Sequence, residues 1–331
     1  MNNQNTPIIS YPQAILESTE QLMHSNENVV VMGLGVTDPI GILGTTKGLQ
    51  KIFGSDRVFD TPLSEDAMTG IAIGLSLAGL RPIHVHIRVD FLMLAMNQLV
   101  NIGAKMHYMF GGKVNVPLTI MTGIGAGTNS AAQHSETLYS IFTHFPGLKC
   151  VVPSNPHNAK GLMTAAIRDD DPVIVFNNRQ LMGLRFDDHV PEEQYIVQIG
   201  KSDIKQEGDD ITLIGIGYTT RVCMEAAREL GEQGFSVEVL DLLSLSPMDN
   251  DSIVKSVQKT RKVVIVDEDY PRCSIATDIS ALVAEEAFDY LDAPPRRVTP
   301  PHTSVPYSRP LEALFVPNKD KVVDAALEIL G

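Results

Sequence analysis

A repeated alternation of short apolar runs and helical stretches constrains this chain more than any other feature of its sequence. The apolar runs are nearly continuous, which is typical of strands buried on both faces of a parallel sheet. The predicted strands of the first half are 29–32, 82–87, 117–121, 149–152 and 173–176. The helical patterns between them are 11–24, 65–77, 91–104, 132–142 and 158–167. This order predicts an α/β fold with a parallel sheet.

A polar stretch after residue 176 interrupts this rhythm. It contains Pro191 and no long periodic segment, so we interpret it as an inter-domain linker. The alternation resumes with strands at 211–216, 236–240 and 262–266, and with helices at 220–232, 249–260, 274–288 and 319–330. A Pro-rich loop is predicted over 293–310. The sequence thus predicts two parallel-sheet α/β domains, 1–185 and 201–331, joined by a linker at 186–200.

The net charge and the cysteines limit the partners and the cellular compartment that we expect for this protein. Its 331 residues include 26 basic and 40 acidic side chains, a net charge of −14, which argues against nucleic acid or an anionic membrane as the main partner. The longest strongly apolar stretch, 71–80, is too short to span a bilayer. The first residues show no secretory signal, and the three cysteines form no CxxC motif, so we expect a reduced, cytoplasmic protein.

Gly-x-Gly follows three predicted strands, at 33–35, 123–125 and 215–217. A dinucleotide-binding fingerprint needs a third glycine three residues later, and Asp38, Thr128 and Thr220 occupy those positions. We therefore favour tight strand-to-helix turns over dinucleotide binding. The glycines at 123, 125 and 127 are dense enough to let another group approach the backbone closely.

Three further sites carry polar side chains in positions that permit chemistry. His84 and His86 share one face of a predicted strand, but without a third ligand nearby in sequence we do not favour a metal site. Glu65 opens an apolar helix, where it either stabilises the helix N-terminus or serves proton transfer. His134 follows the glycine-rich turn, near the strand ends where open α/β sheets bind ligands, although a surface histidine is the alternative.

The sequence resembles the beta subunits of thiamine-diphosphate-dependent 2-oxoacid dehydrogenases of the pyruvate, branched-chain and acetoin types. The motifs that carry the resemblance run through nearly the whole chain. They are DTPLSE at 60–65, GIAIGLSLAGLRPI at 70–83, DFLMLAMNQLVNIGAK at 90–105, YMFGG at 108–112, AAQHSE at 131–136, PGLKCVVPSNPHNAKGL at 146–162, AAIRDDDPVIV at 165–175, LDAPPRRVT at 291–299 and VPYS at 305–308. The resemblance implies a pyrimidine-binding, transketolase-like domain followed by a transketolase C-terminal-like domain.

The resemblance also implies roles for individual residues. Glu65 matches the glutamate that contacts N1′ of the aminopyrimidine and activates thiamine diphosphate, and Leu63 and Phe91 match other cofactor contacts, the phenylalanine stacking on the ring. His134 matches the histidine that faces the substrate. A structural potassium loop is implied at Leu118, Ala166, Asp169 and Asp171, mainly through backbone oxygens.

The other half of the cofactor site is expected on a second chain. Family members bind the diphosphate and magnesium through a GDG motif, and this sequence has none. The resemblance therefore implies an alpha-type partner that carries GDG, a heterotetramer with two copies of each chain, and docking to a lipoyl-acyltransferase core. The stretch DEDYPRCS at 267–274 replaces a more typical Glu-Gly-rich segment, which puts that docking in question.

Two departures from the family pattern keep the function open. Leu34 stands where a glutamate usually follows glycine, so a proton relay through that position is in doubt. Arg88 and Asp90 are also unusual; Arg88 either binds an anionic substrate or pairs with Asp90. The main hypothesis is 2-oxoacid decarboxylation with acyl transfer to a lipoyl carrier. The alternatives are a split transketolase-like or carboligase subunit that works without oxidation, and a cofactor-free scaffold.

Overall fold

The computed structural model of the protein describes residues 7–331. The chain divides into two compact units. The first contains the described residues up to Ile124 together with Ile141–Ile199, and the second contains Gly125–Ser140 together with Gly200–Gly331. The segment Gly125–Ser140 lies inside the predicted domain 1–185 but is grouped with the second unit in the structure. No helix among the described residues has both the length and the hydropathy needed to cross a membrane.

The first unit is built on parallel strands with helices between them. Its strands are β1 (Val29–Gly33), β2 (Val58–Asp60), β3 (Arg81–His86), β4 (Thr119–Ile124), β5 (Lys149–Val151) and β6 (Val173–Asn178). Its helices are α1 (Tyr11–Ser25), α2 (Leu49–Phe53), α3 (Glu65–Leu77), α4 (Val89–Leu92), α5 (Ala104–Met109), α6 (Tyr139–Thr143, which begins in the second unit), α7 (Pro156–Arg168) and α8 (Arg179–Met182). The order β5-β6-β4-β3-β1-β2 runs across the sheet, and every one of these pairs is parallel.

The second unit repeats the same architecture on a smaller scale. Its strands are β7 (Asp203–Gln206), β8 (Ile211–Gly215), β9 (Val237–Asp241), β10 (Ser244–Ser246), β11 (Val263–Val266) and β12 (Arg296–Val298). Its helices are α9 (Tyr218–Glu232), α10 (Asn250–Thr260), α11 (Ile275–Glu286), α12 (Arg309–Phe315) and α13 (Lys319–Leu330). The sheet order is β12-β11-β8-β9-β7, with only β7 antiparallel to its neighbour. The predicted fold class, two α/β domains with mostly parallel sheets, is confirmed.

Local sequence signals explain where the main helices begin. Ser10 caps α1 and forms a capping box with Gln13, with Pro12 in the first turn. Asn155 caps α7 by accepting the N–H of Asn158. Side chains of the interior strands β1 and β6 are buried along their whole length, as the continuous apolar runs predicted.

The predicted helix 91–104 is wrong in detail. The chain forms the short helix α4, a 3₁₀ turn at Met93–Ala95, a π-helical segment at Asn97–Gly103 and then α5. Apolar spacing predicts a helix but does not report which carbonyl accepts each N–H, so it misses changes of helix type. The predicted Pro-rich loop 293–310 is also too simple, because β12 lies inside it and α12 begins at its end.

Candidate active site

The candidate residues of the first unit follow three adjacent strands. In the sheet, β1 lies between β2 and β3. Leu34 follows β1, Glu65 follows β2 and Phe91 follows β3. Because the carboxyl ends of parallel strands meet at one edge of a sheet, these segments leave the same edge side by side. This edge is where an open α/β sheet binds its ligand.

Glu65 is the first residue of α3, immediately after the capping position Ser64. Its side chain is half-buried, and within residues 7–331 its carboxylate has no hydrogen-bond or ion-pair partner. A helix N-terminus favours the negative charge of a carboxylate. The neighbouring Asp66 is also in the first turn but is exposed. The structure therefore leaves the Glu65 carboxylate able to bind an external hydrogen-bond donor.

Two apolar side chains at this edge are more exposed than is usual for their type. Leu63, two residues before Glu65, is 75% exposed, and Phe91 on α4 is 37% exposed. Leu63 lies between β2 and Glu65 in the chain and Phe91 follows β3, so both partly exposed side chains leave the sheet at this edge. Apolar and aromatic groups of this kind suit contact with a flat heteroaromatic ring.

The loop that carries Leu34 is fixed to the end of β2. Thr37 donates its backbone N–H and its hydroxyl to the two carboxylate oxygens of Asp60, at 3.1 and 2.6 Å. Thr61 N donates to the carbonyl of Gly33 at 3.1 Å. Leu34 is half-buried in this loop and brings no titratable group to it.

A pair of buried imidazoles lies beneath α3. His86 Nε2 is 3.3 Å from the hydroxyl of Thr69, one helical turn after Glu65, and the rings of His84 and His86 meet edge to face at 4.3 Å. Burial lowers the pKa of His84 to about 4, against the opposing effect of the Met32 backbone. Burial, reinforced by His84, also lowers the pKa of His86. Within the described part of the chain no three His, Cys, Asp or Glu side chains cluster as a metal site.

Arg88, which caps α4, is the unusual cation at this edge. Burial lowers the pKa of its guanidinium, and the negative charge of Asp90 opposes that shift. Asp90 therefore lies close enough to Arg88 for its charge to act on the guanidinium.

His134 lies in the segment between β4 and α6, which belongs to the second unit. The predicted helix 132–142 is wrong, because only α6, from Tyr139 onward, is helical. Ala131 and Leu138 have φ angles of 62° and 49°, which no right-handed helix accommodates. His134 is half-buried, and its backbone N–H donates to the carbonyl of Ala131 at 3.2 Å.

The acidic turn after α7 is already paired with a lysine. The ammonium of Lys149 lies 2.8 Å from Asp169 and 3.0 Å from Asp171. The carbonyl oxygens of Leu118 and Ala166 each accept a backbone N–H, at 2.9 and 3.2 Å. The two carboxylates thus share one ammonium group, and these two carbonyl oxygens each accept one hydrogen bond.

Sequence reasoning missed Thr69, which connects α3 to the buried histidines. The available signal was its position four residues after Glu65, because Thr69 is one of only two hydroxyl side chains in the apolar part of this helix. It also missed the Thr37–Asp60 contact, because nothing in either residue's sequence context points to the other.

Comparison with known proteins gives two family matches. Residues 8–184 match the pyrimidine-binding domain of transketolase, and residues 200–322 match the transketolase C-terminal domain. A solved structure described as a split-gene transketolase, an inactive beta4 tetramer, superposes with a TM-score of 0.80 at 21% identity, covering 97% of this chain and 98% of the other. At that identity the likeness concerns the fold.

Two curated relatives are similar over most of the chain. The acetoin:2,6-dichlorophenolindophenol oxidoreductase subunit beta of Bacillus subtilis (strain 168) is 48% identical over 98% of each chain. The pyruvate dehydrogenase E1 component subunit beta of Rhizobium meliloti (strain 1021) is 40% identical over 95% of this chain and 68% of its own.

Proposed function

Since this chain belongs to the transketolase-like family of thiamine-diphosphate-dependent 2-oxoacid dehydrogenase beta subunits, we propose that it supplies the pyrimidine-activating glutamate of such an enzyme. The reaction is decarboxylation of a 2-oxoacid, with its acyl group forming a thioester as the lipoyl disulfide is reduced. In this proposal, 1–185 is the pyrimidine-binding domain, 186–200 the linker and 201–331 the C-terminal-like domain.

The single observation that carries the proposal is the half-buried Glu65 carboxylate at the start of α3, which has no hydrogen-bond or ion-pair partner among residues 7–331. Leu63, two residues before Glu65, is exposed. Phe91 follows β3, which is separated from β2 by β1 in the sheet, and its ring is also partly exposed. These three side chains fit the aminopyrimidine half of thiamine diphosphate: an acid for a ring nitrogen, an aromatic face and an apolar contact.

Thiamine diphosphate, when bound, supplies a carbon nucleophile and an electron sink for breaking the bond beside a carbonyl. Glu65 would exchange a proton with N1′ of the pyrimidine and so set the protonation of the ring. Phe91 and Leu63 would orient the ring. His134 would donate a hydrogen bond to a substrate oxygen that gains negative charge, and so assist acyl transfer.

We assign the diphosphate and its magnesium to an alpha-type partner with a GDG motif, because the chain has no such motif. The first unit exposes large apolar side chains that a partner would cover; they include Ile71, Leu77, Leu94, Tyr108, Met109 and Phe110. We propose a heterotetramer with two copies of each chain, and docking of that assembly on a lipoyl-acyltransferase core. Its location would be the cytoplasm, and the three cysteines of this chain are free thiols.

Potassium remains part of the proposal through backbone oxygens alone. Leu118, Ala166, Asp169 and Asp171 would supply those oxygens, since the carboxylates of Asp169 and Asp171 are both paired with Lys149.

A second candidate function follows from Leu34. An apolar side chain between the exits of β2 and β3 cannot carry protons between active sites, and this favours a split transketolase-like or carboligase subunit that releases a ketol without oxidation. The assembled enzyme, given pyruvate, 3-methyl-2-oxobutanoate and acetoin in turn, separates the two. Acylation of a lipoyl domain supports the first function, and a ketol product with no acylation supports the second.

Glu65→Gln tests the assignment directly. In the assembled, cofactor-loaded enzyme we expect exchange of the thiamine C2 proton to slow by about 10²- to 10⁴-fold, the range typical of a lost general acid–base group. Asp66→Asn is the matched control, because it removes the same charge from the same helical turn but from an exposed position. Normal C2 exchange in Glu65→Gln, or equal loss in both variants, would remove Glu65 from this role.

A further inference from the structure

The segment between β4 and His134 has an unusual backbone. Gly125, Gly127, Asn129 and Ala131, which alternate along the chain, have φ angles of 97°, 91°, 55° and 62°. Left-handed conformations are accessible to glycine and tolerated by asparagine, but they are strained for alanine. Such a backbone persists only where surrounding contacts hold it, and such strain is concentrated at functional sites.

A single buried carboxylate accepts two backbone amides of this segment. Glu312 on α12 is only 3% exposed. Its Oε1 accepts the N–H of Gly127 at 2.8 Å, and its two oxygens accept the N–H of Asn129 at 3.2 and 2.9 Å. Alternating left-handed residues turn successive amides toward one side and make a concavity for an anion. Here the carboxylate of the same chain occupies that concavity, with charge-assisted hydrogen bonds.

Apolar packing supports the same attachment. Ala126, between the two left-handed glycines, is buried against Val305 and Phe315, and Phe315 lies on α12 with Glu312. The glycine-rich segment is therefore held to α12 by a carboxylate and by a small apolar cluster.

The chain that follows His134, residues 136–140, is held by contacts that do not involve Glu312. The hydroxyl of Tyr139 donates to the buried Asp267, and Ser140 N donates to Asp269 at 3.2 Å. The hydroxyl of Tyr270 donates to Glu136 at 3.0 Å. His134 thus lies between two anchored ends, and only the first end depends on Glu312.

We propose that Glu312 is a positioning residue, which sets the place of His134 by holding the backbone of residues 125–131. The proposal rests on the role assigned to His134 above. Loss of the carboxylate leaves the amides of Gly127 and Asn129 without their acceptor, so the strained turn relaxes and His134 moves. Glu312 itself is 3% exposed and bonded to backbone, so it acts through His134 and not on the substrate.

The test uses the assembled enzyme with thiamine diphosphate, magnesium and free lipoamide as acyl acceptor. We expect Glu312→Ala to slow acyl transfer by about 100-fold, as displacement of a catalytic group by about 1 Å does, while C2-proton exchange changes less than about twofold. The rate of acyl transfer by Glu312→Gln should lie between those of the wild type and Glu312→Ala, because the single amide oxygen of glutamine can still accept from both backbone amides. Glu285→Gln on α11, an exposed acid of the same unit, is the matched control and should behave as wild type.

A double-variant comparison separates positioning from general destabilisation. If Glu312 acts through His134, the variant His134→Ala with Glu312→Ala transfers acyl groups no more slowly than His134→Ala alone. A further tenfold loss in the double variant, or an equal loss of C2 exchange, overturns the proposal. So does full activity of Glu312→Ala.

Amide hydrogen exchange makes the inference independent of the proposed function. Glu312→Ala should raise exchange at residues 125–131 by about tenfold or more and leave the core strands β8 and β11 unchanged. If the wild-type enzyme neither exchanges the C2 proton nor turns over, the proposed function fails. The amide-exchange measurement still shows whether Glu312 holds the backbone of residues 125–131. Unchanged exchange at 125–131 shows that Glu312 does not hold the segment.

Discussion

His84 and His86 show what burial does to single residues in a central strand. Both imidazoles lie on β3, between β1 and β4, and each is less than 5% exposed. Water cannot solvate a charge there, so the neutral imidazole is the form that the fold accepts. The sequence placed both residues on one face of a strand, and the ring contact confirms that geometry. The sequence could not show that Thr69, on helix α3, would be the hydrogen-bond partner of His86.

A pH dependence follows from His84. The pKa of His84 falls from an ordinary 6.5 to about 4 on folding, so between these values the unfolded chain binds more protons. Stability is therefore complete above pH 6.5 and is lost as the pH falls toward 4, by about 1.4 kcal/mol per pH unit for each such group. We expect His84→Leu to flatten this slope in chemical unfolding at pH 7, 6 and 5. His24→Gln, which alters a side chain that is 61% exposed, should keep it; an unchanged slope in His84→Leu contradicts the prediction.

At the scale of elements, periodicity located helices well where one face was apolar throughout. The bounds of α3 and α13 agree with the predicted ranges 65–77 and 319–330. Apolar periodicity failed for 132–142, where the spacing is helical but the backbone follows tertiary contacts to Asp267, Asp269 and Glu312. These acids lie more than a hundred residues away in sequence, so no local pattern reports them. The glycine density at 123–127 did predict a close approach to the backbone, but not that Glu312 makes it.

The predicted linker 186–200 is attached to the first unit by hydrogen bonds, although only Val190 within it is buried. Lys160 on α7, fully buried, donates to the carbonyls of Pro191 and Glu192 at 2.6 and 3.0 Å and pairs with Glu17 at 3.1 Å. Lys160→Met should free this stretch, lower the free energy of unfolding by about 3 kcal/mol and speed proteolysis near residue 191. Lys51→Met, at an exposed lysine on α2, is the control. Equal protease resistance of the two variants argues against this attachment.

The acidic turn gives a second prediction at this scale. If backbone oxygens of the turn bind potassium, the melting temperature should be several degrees higher in potassium chloride than in choline chloride at equal ionic strength, as expected for a ligand that binds only the folded state. Sodium chloride provides the control for the ion. Equal melting temperatures in the three salts mean that the turn binds no potassium and that Lys149 is the cation that pairs with Asp169 and Asp171.

For the whole molecule, the resemblance read from motifs is confirmed by the family matches and by relatives at 40% and 48% identity. Two α/β units could be predicted because each repeats the strand–helix rhythm. The regrouping of Gly125–Ser140 with the second unit could not, since it depends on packing rather than on pattern.

Turnover should require a second chain. We expect the isolated protein to show no decarboxylation of pyruvate or 3-methyl-2-oxobutanoate, because it offers residues for only one end of the cofactor. Co-expression with the product of a neighbouring gene that encodes a GDG motif should restore activity, and calorimetry should detect thiamine diphosphate binding only in that complex. Cofactor binding and turnover by the isolated chain would contradict the shared site. A cofactor-free scaffold predicts no binding even in the complex.

The link between α12 and the glycine-rich turn has a consequence for recombination between relatives. Exchanging everything after residue 200 for the matching half of another protein would also exchange the acid that shapes a turn encoded 185 positions earlier. A chimera without a carboxylate there would inherit His134 but not its placement. Crossovers that keep both halves of this contact from one parent should therefore yield more active hybrids than crossovers that split it.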